Sequence, residues 1–449
     1  MSYPKKTALF ILFALLLPLF FCNPRAADAE ISEQERTLTY EQLEVFANVL
    51  SLLQEHYVTE IDPHQIIEGA IEGMLLSLDP HSAYLKPESY RTLQNETRGN
   101  FPGIGIELTI VNSILTIVAP IEGTPADRAG LKARDIIIKI NGETTKNMSA
   151  MQAVKKLRGS KGSKVTISVY RQEWGEPRDI EIIRDIIPLQ SVKAFFLEPG
   201  LLYTRISNFQ NNTTKDYKAA LRRLKRQQKI NGIILDLRNN PGGLLDQAVS
   251  ISNLFLKNGL IVYTKGRQSG ENMTFHARDT GAEFTGPLVT LVNEGSASAS
   301  EIVAGAIRDH KRGALVGTQT FGKGSVQSII PLPDGAGLKL TTAYYYTPKG
   351  YSIQAKGITP DVVVEPTLPV ANNKEQTAPF VPQHETDLKN HLLNQSAAAT
   401  RPRGKEEPST ETKKQQDEKI AKFLEEDNQL QTALNMLKSV LLYSEFKKR

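Results

Sequence analysis

The sequence predicts an α/β fold built around a largely parallel β-sheet that is covered by helices. In the second half of the chain, short apolar runs typical of buried strands alternate with longer amphipathic stretches typical of helices. Parallel strands need such crossovers, so the alternation indicates βαβ units. In chain order, the prediction places a strand at 201–206, a helix at 214–229, a strand at 233–237, a helix at 245–256, and strands at 260–263 and 288–293.

The N-terminus has the features of a secretion signal. Two lysines precede an apolar segment at 8–21, and Ala27-Asp-Ala29 forms a small-x-small cleavage site. We therefore predict a signal peptide at 1–29 and a mature chain that begins at Glu30. The apolar segment is short for a transmembrane helix, although an uncleaved anchor stays an alternative.

Cysteine usage and charge exclude several classes of protein. Cys22 is the only cysteine; it lies in the predicted signal peptide behind the bulky Phe21, which disfavours lipid attachment. The mature chain therefore has no thiol nucleophile, disulfide framework or thiolate metal site. No histidine and glutamate cluster has metal-ligand spacing, so we expect neither metal nor cofactor. The net charge of +5 gives no reason to expect nucleic acid as a partner.

Residues 30–97 are predicted to form an N-terminal helical region. Apolar residues recur at helical spacing in 40–57 and again in 66–78. These helices are expected to cap the core or to join subunits, which leaves a homo-oligomer open. A turn at 79–84 follows, and His81 within it is expected to be structural.

The strongest sign of chemistry is the segment EGSASASE at 294–301, between an apolar strand and an apolar helix. A strand that turns into a helix through small residues leaves one side chain at the helix N-terminus. Unpaired N–H groups and the helix dipole favour a developing anion there. This position suits a nucleophilic serine, but the sequence does not separate Ser296, Ser298 and Ser300.

A serine nucleophile needs a base, and the sequence offers two kinds. Lys323 lies in a glycine-flanked loop, and a lysine stripped of water can act as the base. Among the histidines, only His276 and His310 lie near the serines in the chain, and there is no Gly-x-Ser-x-Gly elbow. A Ser-His-Asp triad is therefore the weaker alternative to a Ser-Lys dyad.

Three motifs occur in order: LDLRNNPGG at 235–243, GSASASE at 295–301 and FGKGSVQ at 321–327. Together they resemble those of the carboxyl-terminal processing proteases, the tail-specific serine peptidases that carry a PDZ domain. The resemblance implies a serine-type endopeptidase with a crotonase-like βαβ core. By position, it puts the nucleophile on Ser298, the general base on Lys323, and the residue that orients the lysine on Gln327.

The residues around this implied site suit the chemistry. An ordinary lysine has a pKa of about 10.4, so burial must lower it for Lys323 to act as a base near neutrality. The amide oxygen of Gln327 can accept a hydrogen bond without adding a charge. An oxyanion hole needs two aimed N–H groups. The resemblance places them at Ala299 and Gly243, with Gly242 as the second choice.

Residues 98–172 resemble a bacterial PDZ domain through four short segments between 101 and 142. The N–H groups of four consecutive residues can cradle a terminal carboxylate, and the strand edge that follows can pair with an extended peptide. These residues are Gly103, Ile104, Gly105 and Ile106. The alternative is that the glycines only permit a tight entry into the strand. The resemblance also implies that Arg158 links this module to the protease.

The predicted peptidase core extends over 173–370 and includes a further strand at 338–347. The polar composition of 371–416 is typical of a linker. Apolar residues at three- and four-residue spacing then predict an amphipathic helix within 417–449. The sequence does not say whether this helix packs on the protease, on a second subunit or on a partner.

The combined prediction is an exported serine endopeptidase, periplasmic or otherwise extracytoplasmic, that recognises the C-terminus of protein or peptide substrates through its PDZ domain. An adaptor protein stays open. Two alternatives belong to other classes: a PDZ peptide-binding scaffold with a catalytically silent protease domain, and an acyl-transfer or lyase enzyme of the crotonase type.

Overall fold

The computed structural model describes residues 33–111, 114–121, 123–281, 284–367, 384–387, 424 and 427–447. The predicted signal peptide, its cleavage site and almost all of the predicted linker lie outside these residues. No helix within the described part of the chain is long and apolar enough to cross a membrane. The chain divides into two compact units, Met1–Pro63 and His64–Arg449.

The first unit contains one described helix, α1 (Glu33–His56). It covers most of the helix predicted at 40–57 and begins seven residues earlier. The apolar residues that predicted it, such as Leu43 and Phe46, are exposed. The helical spacing therefore predicted the helix correctly, but the apolar face of the helix is not buried within this unit.

The described residues of the second unit form helices and four sheets. The helices that follow α1 are α2 (Pro63–Leu76), α3 (Pro87–Thr97), α4 (Pro125–Arg128), α5 (Ala150–Leu157), α6 (Thr213–Lys225), α7 (Leu245–Ser252), α8 (Ala299–Asp309) and α9 (Asn428–Phe446). The strands are β1 (Ala83–Leu85), β2 (Asn100–Gly103), β3 (Ile106–Val111), β4 (Ile114–Pro120), β5 (Ile136–Ile140), β6 (Glu143–Thr144), β7 (Lys164–Tyr170), β8 (Arg178–Ile183), β9 (Asp185–Pro188), β10 (Val192–Glu198), β11 (Leu201–Ile206), β12 (Gly232–Asp236), β13 (Leu260–Gly266), β14 (Thr274–His276), β15 (Leu288–Val292), β16 (Ala314–Gly317), β17 (Ser325–Pro331), β18 (Gly337–Tyr346) and β19 (Val362–Val363).

The main sheet is largely parallel, as the sequence predicts. Its strand order is β10-β11-β12-β15-β16-β19, and only the edge pair β10–β11 is antiparallel. Both faces of β12 are covered: Ile233 and Leu235 pack in one apolar cluster, and Ile234 packs in another. Successive residues of a strand point to opposite faces. Burial on both faces therefore explains the continuous apolar runs.

Helix α9 covers one of these faces. Its buried residues Leu430, Leu434 and Leu437 join the cluster that contains Ile234. This answers the question that the sequence leaves open, because the final helix packs on the α/β sheet itself. The described helix begins at Asn428, and the predicted start at 417 lies outside the described residues.

Strand β13 does not continue the parallel series. It lies in a second sheet of order β1-β18-β13-β14, to which β17 is added through β18, and its contacts with β14 and β18 are antiparallel. The predicted βαβ succession is wrong at this point. Local spacing gives the strand but not its partner, and Tyr263 pairs with the distant Tyr346.

A third sheet forms the predicted PDZ module, with order β3-β4-β5-β7-β8 and β6 beside β5. Its core contains Ile117, Ile137 and Ile167, each fully buried. Strand β8 pairs with β7 along its length, so the sheet extends to Ile183. The short β2–β9 pair closes the module, with Gly103 opposite Asp185.

Candidate active site

Ser298 lies at the turn between β15 and α8, which begins at Ala299. Its backbone has φ 55° and ψ −113°, a strained conformation that costs a side-chain-bearing residue on the order of 1–3 kcal/mol. The side chain is 7% exposed, and its Oγ lies 2.8 Å from Tyr345 Oη. The turn therefore presents one hydroxyl at the N-terminus of a buried helix, where the dipole favours negative charge.

The side chains of the two neighbouring serines form hydrogen bonds with the backbone. Ser296 Oγ donates to the carbonyl of Leu237 at 2.7 Å, and Ser300 Oγ donates to the carbonyl of Asn240 at 2.9 Å. Both side chains are fully buried. Each hydroxyl thus fixes the loop that follows β12, and the geometry separates Ser298 from the other two.

Glu301 connects the serine turn to the lysine loop. Its Oε2 accepts the N–H of Ser298 at 2.8 Å and the N–H of Lys323 at 2.9 Å. Its Oε1 accepts the N–H of Gly322 at 2.8 Å and the hydroxyl of Thr320. One fully buried carboxylate therefore fixes the backbone of both predicted catalytic residues. Glu301 was not among the predicted site residues, although its place three residues into the helix is typical of a capping box.

Burial changes the proton affinity of two groups at this site. It raises the pKa of Glu301 to about 7, although the hydrogen bonds from Thr320, Gly322, Ser298 and Lys323 oppose this change. It also raises the pKa of the Tyr345 hydroxyl to about 12. The phenol therefore stays protonated near neutrality, where it can both donate to the serine hydroxyl and accept from it.

The two residues beside Lys323 are glycines because a side chain at either position would lie too close to neighbouring backbone atoms. A Cβ at Gly324 would lie 2.3 Å from the N atom of Gln354, and a Cβ at Gly322, where φ is 99°, would lie 3.2 Å from backbone N atoms of a neighbouring segment. The N–H of Gly324 also donates to Gln354 Oε1 at 2.9 Å. Close approach of two backbone segments fixes the loop, and the Lys323 side chain is half-buried.

Gln327 lies on β17 directly opposite Thr341 of β18. Its Nε2 donates to Ser325 Oγ at 3.0 Å and to Thr341 Oγ1 at 3.3 Å. Both protons of the amide nitrogen are thus used on hydroxyl acceptors. The remaining polar atom of the side chain is Oε1, the acceptor that is predicted to orient Lys323.

The loop at 239–243 is locked against the serine turn. Asn239, at φ 53°, exchanges two 2.8 Å hydrogen bonds with the side chain of Asn293. The carbonyl of Asn240 accepts the N–H of Ala297 at 2.9 Å. These bonds hold the carboxyl end of β12 beside the carboxyl end of β15. The two ends lie at the same edge of the sheet because the strands are parallel neighbours.

The two glycines of this loop have different surroundings. A Cβ at Gly242 would lie 2.8 Å from Ser298 Cβ and 3.0 Å from the N atom of Ala299, and its own N–H donates to Asn240 Oδ1 at 2.9 Å. A Cβ at Gly243 would lie 2.1 Å from the carbonyl oxygen of Phe209. Among the hydrogen bonds of the described residues, none is donated by the N–H of Gly243 or of Ala299.

Arg238, within the LDLRNNPGG motif, links this loop to the C-terminal helix. Its guanidinium donates to Asp236 Oδ2 and to Asp427 Oδ2, each at 2.7 Å, and to Gln429 Oε1 at 3.0 Å. Burial opposes ionisation of Asp236, but Arg238 and Arg205 hold the pKa of that carboxyl below its ordinary value. Sequence spacing could not have found this cluster, because Asp427 is 189 residues away.

The two candidate histidines lie at the other end of α8. His310 is the residue that ends this helix, and its Nε2 lies 2.7 Å from the carbonyl oxygen of Leu260. His276 is exposed and pairs with the same Leu260. An 11-residue helix is about 16 Å long, so neither arrangement favours a triad with Ser298. The described residues contain no group of three or more His, Cys, Asp or Glu side chains that could hold a metal ion.

The predicted carboxylate cradle joins β2 to β3. Ile104 and Gly105 are buried, and their carbonyls accept the N–H groups of Ala126 and Ile121, each at 2.9 Å. In the described residues, no hydrogen bond is donated by the N–H of Ile104 or Gly105. Nearby, the guanidinium of Arg158 lies 5.0 Å from the ring centre of Phe101 in β2.

Comparison with known proteins gives concordant matches. The chain matches Peptidase family S41 over residues 200–364, a PDZ domain over 116–171, and the activating protease CtpB N-terminal domain over 22–89.

The similarity to whole proteins is high. The chain is 44% identical to the carboxy-terminal-processing protease of Bartonella bacilliformis over 357 residues, or 79% of this chain and 81% of the other. It is 41% identical to the carboxyl-terminal-processing protease of Synechocystis sp. over 345 residues, or 75% and 80%. A solved structure of a photosystem II D1 C-terminal processing protease shares 30% identity, covers 72% of this chain and 93% of its own, and has a TM-score of 0.42.

Proposed function

Because the chain belongs to peptidase family S41, as a carboxy-terminal processing serine protease with a PDZ domain, we propose that Ser298 is its nucleophile and Lys323 its general base. The observation that carries this proposal is the shared Glu301 oxygen, 2.8 Å from the N atom of Ser298 and 2.9 Å from that of Lys323. It fixes a strained serine and a half-buried lysine to one rigid group. The strand-to-helix turn at Ser298 also supports a crotonase-like core.

The reaction follows from this assignment. Ser298 Oγ attacks the carbonyl carbon of the scissile peptide bond while its proton passes to neutral Lys323 Nζ. The N–H groups of Ala299 and Gly243 stabilise the oxyanion of the tetrahedral intermediate. As the C–N bond breaks, the Lys323 ammonium returns the proton to the leaving amine. Lys323 Nζ then takes a proton from a water molecule as the water oxygen attacks the ester carbon. When the bond between that carbon and Ser298 Oγ breaks, the Lys323 ammonium returns the proton to Oγ, and the acid product leaves.

We assign the second oxyanion N–H to Gly243 and not to Gly242. The N–H of Gly242 is already bonded to Asn240, whereas the N–H of Gly243 donates no hydrogen bond within the described residues. Gly242 has a different role, because its lack of a side chain makes room for Ser298 Cβ. An oxyanion hole needs donors that are not committed elsewhere.

The catalytic proposal is tested by single substitutions. Ser298→Ala and Lys323→Ala should each abolish cleavage of a long peptide with a free apolar C-terminus, because members of one catalytic unit fail together. Ser328→Ala and Lys349→Ala, which change a half-buried serine and an exposed lysine, are matched controls and should retain the rate. Circular dichroism confirms folding. Turnover by a folded Ser298→Ala or Lys323→Ala enzyme would refute the dyad.

We also propose that the PDZ domain selects substrates by their terminal carboxylate. The N–H groups of Ile104 and Gly105 are the donors, and β3 supplies the edge for an extended peptide. Amidating the C-terminus removes a charge-assisted acceptor worth roughly 1.5–3 kcal/mol, so kcat/KM should fall about ten- to a hundredfold.

A variant without the PDZ domain tests the same proposal. Since Gly103 and Asp185 are cross-strand partners, residues 104–184 can be replaced by a short linker. That variant should no longer distinguish acid from amide. Equal rates for both peptides in the intact enzyme would refute recognition of the carboxylate.

We further propose that the enzyme acts outside the cytoplasm after removal of residues 1–29. The charged and apolar segments and the small-x-small site support this localisation. The mass of the protein recovered from the extracytoplasmic fraction should correspond to a chain that begins at Glu30. A full-length mass there would indicate an uncleaved anchor.

A further inference from the structure

The turn that precedes β1 lies beside the strand that faces Gln327. Strand β1 pairs with the start of β18, with Ala83 opposite Lys339. The turn therefore runs along β18, where Ser82 Oγ accepts the N–H of Thr341 at 3.1 Å. The oxygen Oδ1 of Asp79 lies 3.2 Å from Thr341 Oγ1. A residue from the N-terminal part of the chain is thus separated from Gln327 by a single hydroxyl.

Asp79 is held firmly in this position. It is 3% exposed, its Oδ1 accepts the N–H groups of His81 and Ser82 at 2.7 and 2.8 Å, and its Oδ2 accepts the hydroxyl of Ser82 at 2.7 Å. Burial opposes its ionisation, but these hydrogen bonds and that of Thr341 hold the pKa of the carboxyl below its ordinary value. Asp79 is therefore a carboxylate at neutral pH and can only accept hydrogen bonds.

An acceptor-only group fixes the direction of the bonds beyond it. Thr341 has one hydroxyl proton, and a bond to a carboxylate is stronger than one to a neutral amide. Thr341 therefore donates to Asp79 and accepts from its other neighbour, Gln327 Nε2, 3.3 Å away. The second amide proton is bound by Ser325. If the amide were reversed, Gln327 Oε1 would face the Thr341 oxygen with no proton between them.

We propose that Asp79, acting through Thr341, is a positioning residue that sets which way the amide of Gln327 points. The proposal rests on the proposed function, in which Gln327 Oε1 orients the lysine base Lys323. With Nε2 held by Thr341 and Ser325, the amide oxygen is the atom offered to the lysine, and no charge is added that would stabilise its ammonium form. The turn at 79–82 thereby belongs to the catalytic machinery.

The test compares two adjacent threonines on β18. Thr341→Val removes the hydroxyl that connects Asp79 to Gln327 and keeps the shape of the side chain. It should lower kcat about five- to tenfold with KM unchanged, as expected for loss of one orienting hydrogen bond. Thr341→Ser keeps the hydroxyl and should restore kcat to within about twofold. Thr342→Val removes a hydroxyl that bonds Ser328 at 2.9 Å and should leave kcat unchanged.

Double variants separate positioning from simple stabilisation. If Thr341 acts only through Gln327, then adding Thr341→Val to Gln327→Ala should cause no further loss of kcat. Asp79→Ala, which removes the acceptor of the Thr341 hydroxyl, should lower kcat as Thr341→Val does and should also have no effect beyond Gln327→Ala. Losses that multiply in the Gln327→Ala background, or a fully active Thr341→Val enzyme, would overturn the proposal.

These outcomes are distinct from failure of the catalytic assignment. Activity in Ser298→Ala or Lys323→Ala would remove the proposed function and this inference with it. Inactive Ser298→Ala and Lys323→Ala enzymes, an impaired Gln327→Ala enzyme and a normal Thr341→Val enzyme would leave the dyad intact and overturn the role of Asp79 alone.

Discussion

Replacing Glu301 by glutamine should change how the stability of the enzyme depends on pH. Burial raises the pKa of Glu301 from 4.5 to about 7, so the folded protein binds this proton more tightly than the unfolded chain does. The stabilisation is complete below pH 4.5 and is lost as the pH rises through about 7. A change of this size corresponds to about 3 kcal/mol of unfolding free energy.

The structure also gives the cost of the glutamine itself. The new amide would keep one acceptor, best used for the N–H groups of Ser298 and Lys323, and would turn its NH₂ towards Thr320 and Gly322. The hydroxyl of Thr320 can reverse and accept, but the N–H of Gly322 would lose its partner at a cost of about 1–3 kcal/mol. We therefore expect Glu301→Gln to be less stable than the wild type at acid pH, and equal or more stable above about pH 8.

The assay is urea unfolding at a series of pH values, followed by far-UV circular dichroism. The only tryptophan, Trp174, packs against the core of the PDZ sheet, so its fluorescence would not report on the protease core. Glu88→Gln removes an exposed carboxylate and controls for general charge effects. The difference in unfolding free energy between wild type and Glu301→Gln should change by about 3 kcal/mol across the titration. A difference that stays constant with pH would refute the reasoning.

Three further substitutions probe the contacts around the serine. Gly242→Ala, with φ 101° and a Cβ 2.8 Å from Ser298 Cβ, should lower kcat/KM at least about tenfold by displacing the nucleophile; an unchanged kcat/KM would show that the loop adapts. Asp427→Ala removes a partner of buried Arg238 and should lower the unfolding free energy in urea by about 1–3 kcal/mol, and an unshifted urea midpoint would mean that α9 does not stabilise the loop. Tyr345→Phe removes one neutral bond to the serine and should change kcat by no more than about tenfold, whereas inactivity as complete as that of Ser298→Ala would mean that the phenol takes part in the reaction.

Local patterns predicted most of the elements and the family. The apolar runs at 201–206 and 233–237 became β11 and β12 because a strand buried on both faces must be apolar throughout. The resemblance to the carboxyl-terminal processing proteases is confirmed by the matches to family S41 and to whole proteins. The assignments of Ser298, Lys323 and Gln327 within that family stay predictions.

The sequence did not predict correctly how strands pair when they are far apart in the chain. The run at 260–263 is a strand, but it lies in the antiparallel sheet. Its place there could not be predicted, because Tyr263 pairs with Tyr346 of β18, more than 80 residues away. Local spacing carries no information about such partners.

The sequence by itself determined the serine-rich turn at a helix N-terminus, the glycine-flanked lysine and the single cysteine, Cys22, because these depend on residue type and short spacing. Tertiary structure alone decided that Ser296 and Ser300 bond the backbone while Ser298 does not, and that Glu301 joins the serine to the lysine loop. These hydrogen bonds form because the ends of particular strands lie side by side. Which strand ends lie side by side depends on the order of strands in the sheet, and not on the order of residues in the chain.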